Sequence, residues 1–289
     1  MPNQTVAVVF GGRSVEHEVS IITASQAMDA LEVAGYKTLP VYISKEGGWY
    51  AGRPLRELAV FRDPAARIAN MSGVYRVALS ADRTARQLVL HPHAKTGFFK
   101  RDPELWPDVF LPCVHGTFGE DGTLQGAFEM ADVPYAGCGV FAAALGMDKV
   151  RSKAVAKAAG LPVLECVASS REEYARDPLA FLKRAEAALA YPVIVKPCHL
   201  GSSIGVRRAV DSAALREAVE TALVLDEQVL VEPALVRFRE VNCSVLGPPA
   251  RASVCEMPNY KGDLLSFDSK YRVGGKGGGK GAAAARGGA

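Results

Sequence analysis

No stretch of the chain approaches the roughly 18 consecutive apolar residues of a membrane-spanning helix, and no C-x-x-C pair occurs anywhere. The six cysteines, at 113, 138, 166, 198, 243 and 255, lack metal-ligand spacing, which predicts reduced thiols that mostly fill the core. A dominant charge is missing too. The 34 basic and 31 acidic residues leave a formal +3, so no strong nucleic-acid field is expected, and 49% hydrophobic residues exclude compositional disorder. Met1 to Thr5 leads directly into a strand without a signal-like segment. The chain reads as soluble and cytoplasmic, with neither membrane nor nucleic acid as a partner.

What is present is an alternation of buried strands and amphipathic helices over 289 residues, enough for two or three domains. Val6 to Phe10 reads as a strand, followed by a turn at Gly11 to Ser14. Ile21, Ala24, Met28 and Leu31 mark one face of a helix ending near Gly35, and Thr38 to Ile43 forms the next strand. This β-α-β order predicts a parallel sheet with a crossover helix. Residues 45–105 are less regular, with a hairpin pairing Tyr75 to Ser80 with Arg86 to His91, and read as an elaboration of a first α/β domain over 1–137. Val109 to Val114 returns to strand and Leu124 to Met130 to helix.

A second domain, 138–232, is expected to hold one helix from Ala142 to Ala159, a strand carrying Lys196, a helix capped by Asp211 or Ser212, and a strand at Val229 to Glu232. A third, 233–289, opens with strands at Glu240 to Leu246 and Arg251 to Glu256. It ends in sixteen residues with eight glycines and five alanines, which read as a mobile loop or tail.

Several segments carry chemistry. Lys196 leads from an apolar strand into Gly201-Ser202-Ser203-Ile204-Gly205. Freed backbone N–H groups, two hydroxyls and an ammonium are what a polyphosphate needs, and a lysine in such a strand needs an anionic partner. Gly11 to Ser20 lacks the G-x-G-x-x-G dinucleotide spacing, and its Glu16 and Glu18, at a helix start, would repel phosphate and suit a ligand ammonium or serve as plain first-turn charges. His115 to Gly126, with four glycines and two acids, follows a strand C-terminus, where open α/β sheets bind ligands; Asp121 or Thr123 could simply cap the helix. Lys149, Arg151 and Lys153 lie on a helix near the phosphate loop, the usual pattern of a solvated face. Glu232, with Glu240 further on, could hold the ribose or adenine of a nucleotide.

Together these segments resemble the D-alanine:D-alanine ligases of the ATP-grasp superfamily. The likeness rests on Gly11-Gly12, Ser14, Glu16 and Glu18-Val19-Ser20; on His115-Gly116, Gly119 to Gly122 and Gln125-Gly126; on Met147-Asp148-Lys149; and on Lys196-Pro197 with Gly201 to Gly205. It runs from Val6 to about Tyr271. The resemblance implies an N-terminal parallel-sheet α/β domain followed by an ATP-grasp region. It implies ATP-dependent joining of two D-alanines through an acylphosphate for peptidoglycan precursors, with ATP and two magnesium ions, in a homodimer formed through the N-terminal domain. It assigns Glu16, Ser202 and Tyr271 to catalysis, with Glu16 on the substrate ammonium, and places His115 near the first D-alanine. Lys149, Lys196, Ser203, Glu232, Leu235, Glu240 and Lys270 are implied to hold ATP, with Gly274 to Gly281 as a lid.

The chain departs from the family pattern in one respect. The arginine and the Asp, Glu and Asn magnesium ligands that follow the lid in the family have no counterpart up to Ala289 apart from an unplaceable Arg286, so a C-terminally truncated form with little activity is expected. A D-alanine:D-lactate or D-alanine:D-serine ligase is a related reading, and a non-catalytic nucleotide-binding module a different one. A carboxylase of the same superfamily would explain Lys196 but neither Glu16 nor the His115 loop.

Overall fold

The computed structural model describes residues 4–62, 68–82, 88–90 and 105–257. It divides into two units, one of residues 1–201 and 205–234, the other of 202–204 and 235–289. In the first unit, strand β1 (Thr5–Gly11) leads to helix α1 (His17–Val33) and strand β2 (Lys37–Ile43). Strands β3 (Trp49–Ala51), β4 (Tyr75–Leu79), β5 (Leu88–Leu90) and β6 (Val109–Pro112) follow. They form a six-stranded sheet ordered β5-β4-β3-β2-β1-β6. The β2-β1-β6 part is parallel, and β3, β4 and β5 extend it with antiparallel pairings.

The continuous apolar run of β1 has a direct cause in its central place. Successive side chains alternate between faces, so Ala7 and Val9 pack with Phe110, Leu124 and Phe128, while Val6, Val8 and Phe10 pack with Ile21, Ala24 and Met28 of α1. Both faces are covered, and neither can be polar. The expected helix face of Ile21, Ala24 and Met28 is buried, and Gly35 at φ +88° follows the end of α1. The predicted hairpin is present as β4 against β5, although residues 83–87 of its turn lie outside the described residues. Helix α2 (Thr123–Met130) covers the sheet beyond β6.

The single helix expected over Ala142 to Ala159 is two helices, α3 (Val140–Met147) and α4 (Lys149–Ala158). Asp148 breaks them apart. Its backbone is extended at φ −85° and ψ 103°, and its carboxylate caps α4 by accepting from the Arg151 amide.

Strand β7 (Val167–Ser170), helices α5 (Arg171–Arg176) and α6 (Pro178–Ala188), strands β8 (Val193–Pro197) and β9 (Arg207–Ala209), helix α7 (Ser212–Leu225) and strand β10 (Gln228–Pro233) complete this unit. Their sheet, ordered β7-β10-β8-β9, is antiparallel throughout. Val193 and Val195 of β8 and Val229 and Val231 of β10 meet α6 and α7 through Phe181, Leu182, Leu215, Val219 and Ala222. Asp211, not Ser212, caps α7. In the second unit the expected strands shrink to β11 (Val245–Leu246) and β12 (Arg251–Ala252), beside a bridge between Asn242 and Glu256; all four strand residues are exposed, so no buried face extends the pairing.

The cysteines depart from expectation as well. Only Cys113 and Cys198 are buried, whereas Cys138, Cys243 and Cys255 are exposed, and all six are free thiols. No helix among the described residues is long and apolar enough to cross a membrane.

Candidate active site

Strands β1 and β6 are parallel neighbours, so the loops that leave their C-terminal ends emerge side by side. The first loop is shaped by its own side chains. The Ser14 hydroxyl accepts from the Glu16 amide at 3.0 Å, and Ser20 accepts from the Gly11 amide and donates to the Cys113 carbonyl, each at 2.8 Å. His17 is buried, with Nδ1 2.6 Å from the Gly12 carbonyl and Nε2 3.1 Å from the Tyr42 hydroxyl. A carbonyl only accepts, so Nδ1 carries hydrogen and donates to Gly12, while Nε2 meets the Tyr42 hydroxyl. Burial pushes the Tyr42 phenol up to about 12. These contacts fix the backbone that presents Glu16, itself only 3% exposed, at the start of α1.

Two glycines from different loops close around that carboxylate. A Cβ at Gly116 would lie 2.5 Å from Glu16 Oε2 and 2.4 Å from Ser14 Oγ, and one at Gly201 would lie 3.1 Å from Glu16 Oε2. Three of the segments singled out from sequence thus converge at Glu16. Glu18, its expected companion, points elsewhere and pairs on the surface with Lys45 at 2.5 Å.

His115 is held from α1. Its Nε2 lies 2.9 Å from Thr23 Oγ1, and the Thr23 hydroxyl donates back to the Val19 carbonyl at 3.1 Å. The Thr23 hydroxyl thus bridges the helix backbone and the ring, and fixes the orientation of His115. The acids of this loop serve the loop itself. Glu120 accepts from the Gly116 amide at 2.6 Å, and Asp121 accepts from the Phe118 and Thr123 amides at 2.7 and 3.0 Å. Arg13 stacks over the Phe118 ring at 3.9 Å and ties the two loops together.

The cationic side lies on the second sheet. Register places Leu230 opposite Lys196 and Glu232 opposite Ile194, so Lys196 and Glu232 share the face turned away from α6 and α7. They form an ion pair, and Lys153 of α4 reaches the other Glu232 oxygen at 2.8 Å. Burial alone would raise the Glu232 carboxyl, but hydrogen bonds from Lys153 and Lys196 outweigh it and hold the group below the usual carboxylate range. Two lysines on one carboxylate leave a net positive charge for an anion. Lys149 Nζ donates to the Leu200 carbonyl at 2.5 Å and the Cys198 carbonyl at 3.2 Å, and its burial pushes its pKa down.

Of the residues expected from sequence, Glu16 and His115 stand on the two neighbouring strand-end loops, and Lys149, Lys196 and Glu232 stand on the second sheet and α4. Ser202 and Ser203 adopt left-handed backbone at φ 49° and 59° and belong, with Leu235 and Glu240, to the second unit. Lys270 and Tyr271 lie outside the described residues. Lys153, expected on a solvated helix face, instead turns inward to Glu232. The available signal was its i, i+4 spacing from Lys149, which puts both ammoniums on one helix face. No group of three or more His, Cys, Asp or Glu side chains that could hold a metal ion occurs among the described residues.

Residues 5–138 match the family model of the D-ala D-ala ligase N-terminus, and residues 155–283 match that of the D-ala D-ala ligase C-terminus. The curated D-alanine–D-alanine ligases of Thermosipho africanus and Thermosipho melanesiensis are 36% and 39% identical over 94% of this chain, which spans 70% of each relative. The crystal structure of the VanG D-Ala:D-Ser ligase from Enterococcus faecalis superposes with a TM-score of 0.72 at 31% identity, covering 88% of this chain and 69% of that one. The D-alanine-D-alanine ligase of Coxiella burnetii gives a TM-score of 0.74 at 26% identity, covering 89% of this chain and 69% of that one.

Proposed function

The chain belongs to the D-alanine–D-alanine ligase family, and from that premise we propose how its residues divide the work of an ATP-dependent ligation of D-alanine. The reaction itself, carboxylate to amine at the expense of ATP, is the family's. ATP supplies the phosphoryl group that activates the carboxylate. The residues of this chain bind, orient and shield.

Glu16 takes the ammonium of the first D-alanine. The single observation that supports this most is the approach of Gly116 and Gly201 to its carboxylate, where an added Cβ would lie 2.5 Å and 3.1 Å from Glu16 Oε2, so that the two loops leave the carboxylate to a small ligand. His115, with Thr23 on its Nε2, offers Nδ1 to the same substrate. Lys149, Lys153 and Lys196 hold the nucleotide phosphates, and Glu232 keeps two of these ammoniums aligned. Ser202 and Tyr271 serve the substrate, while Ser203, Leu235, Glu240 and Lys270 serve the nucleotide. Phosphoryl transfer depends chiefly on positioning and charge neutralisation, and a pre-aligned lysine cluster supplies both. For magnesium, the described residues offer no ligand cluster that fits, and no step is assigned to it. A cytoplasmic homodimer completes the proposal.

The decisive experiment supplies ATP, magnesium and D-alanine to the protein expressed from its intact gene and measures ADP release. D-alanine-dependent release is expected, and its absence would overturn the reading. Competition between D-alanine, D-serine and D-lactate as acceptors is expected to favour D-alanine.

A further inference from the structure

His199 stands between the Lys196-Pro197 and Gly201 to Gly205 motifs and is tethered through its amide and both ring nitrogens. Its amide donates to Asp226 Oδ2 at 2.6 Å, its Nδ1 lies 2.8 Å from Asp226 Oδ1, and its Nε2 lies 3.4 Å from Asp148 Oδ2. Both aspartates are buried, with side chains 4% and 6% exposed, and neither is spare. Asp226 also accepts from the Gln228 amide at 3.2 Å at the start of β10, and Asp148 caps α4. The ring therefore joins three places in the fold: the exit of β8, the first turn of α4, and the junction of α7 with β10.

The carbonyls on either side of His199 are the ones that receive Lys149 Nζ. Lys149 is also the first residue of α4, directly after Asp148. One histidine thus grips the cap of the helix that carries Lys149 and the backbone on which that ammonium rests. Other charged groups frame the ring. Arg151 pairs with Asp148, Arg171 donates to the Asp226 carbonyl at 2.9 Å, and Glu227 and Asp121 line the same cleft of about 760 Å³.

We propose that His199 is a positioning residue for nucleotide binding: as an imidazolium bridging Asp226 and Asp148, it holds the Cys198–Gly201 backbone and Lys149 in register for the phosphates. This rests on the reading that the segment holds ATP. Two ionised aspartates facing a ring that donates from both nitrogens favour the charged form. The Asp226 hydrogen bond, with smaller help from the charges of Asp226 and Asp148, raises the His199 pKa above its ordinary value despite burial. The contribution is therefore complete below the ordinary histidine pKa of about 6.5 and fades as pH climbs through the raised value.

The test measures ATP affinity by calorimetry for the unmodified protein, H199L and H199R from about pH 6 to about pH 9, with unfolding midpoints recorded alongside. At the acidic end, H199L is expected to bind about tenfold more weakly, as for a lost charge-assisted anchor, and H199R to stay within about threefold of the unmodified protein. With rising pH the unmodified protein is expected to lose affinity relative to H199R; the titration of ATP itself is common to all three. Equal affinity of folded H199L and the unmodified protein would overturn the proposal, as would parallel pH profiles of the unmodified protein and H199R. Should H199L not fold, that second comparison decides alone. Failure of the unmodified protein to bind ATP at any pH overturns the nucleotide reading first, and this proposal with it.

Discussion

Lys196 of β8 and Glu232 of β10 face each other diagonally across an antiparallel pair, on the side of the sheet turned away from α6 and α7, and Lys153 completes the ion cluster from α4. The lysine that looked out of place in an apolar strand has its anionic partner in the neighbouring strand. The cluster retains one uncompensated positive charge, which suits it to an anionic ligand.

Removing the carboxylate is expected to hurt the fold before it hurts the chemistry. Glu232→Gln leaves two partly buried ammoniums without a counter-charge, a loss of about 3 kcal/mol by the usual cost of breaking a buried pair. The pH dependence has a definite sign. Because the folded-state pKa is lowered, the contribution is present above the ordinary carboxylate value and disappears as pH falls through the lowered one. Urea titrations of both proteins at neutral and acidic pH are expected to show a stability gap that narrows with acid.

Lys153→Met tests the lysine that motif reading passed over. It removes the donor to the Leu164 carbonyl and one of the two cations on Glu232. ATP affinity is expected to fall about tenfold, in line with the loss of one charge-assisted contact, while D-alanine binding is kept. Calorimetric titration of each ligand separately checks the split.

At Gly116 a methyl group meets Glu16 and Ser14 at less than ordinary contact distance, and the backbone there has φ +72°. Gly116→Ala is expected to raise the KM for D-alanine by at least about tenfold with little change for ATP, because the Glu16 carboxylate must shift. At Gly201, where the added carbon lies 3.1 Å from the same carboxylate, the effect of alanine is expected to be milder. Steady-state kinetics with each substrate varied in turn distinguishes the two.

Thr23→Val deletes the oxygen hydrogen-bonded to His115 Nε2 and frees the ring to rotate or change tautomer. A drop of about threefold to tenfold in kcat/KM for D-alanine is expected, the size of one neutral hydrogen bond, and Thr23→Ser is expected to restore it. A serine variant as poor as valine would show that the methyl group, and not the hydroxyl, is what matters.

Much of the site was legible residue by residue. Periodicity and turn chemistry placed the loops of Glu16 and His115 at strand ends and Lys196 at the end of β8, because these signals act within a few residues of chain. The spacing that failed was the helix over Ala142 to Ala159. Its apolar and alanine-rich composition favours a continuous helix, but Asp148 is drawn out of it by Arg151 and His199, and His199 lies on a different element.

The sequence by itself determined the segments, their order and the family, since helix faces, strand runs, glycine turns and motif spacing are local properties of the chain. Tertiary structure alone decided the pairings. That Glu232 answers Lys196 follows from strand register, that Gly116 and Gly201 both close on Glu16 follows from loops meeting in space, and that His199 grips Asp148 and Asp226 follows from the packing of β8, α4 and α7. Such contacts join residues far apart in the chain, and the free energy that selects them comes from burying shared apolar faces and satisfying buried charge.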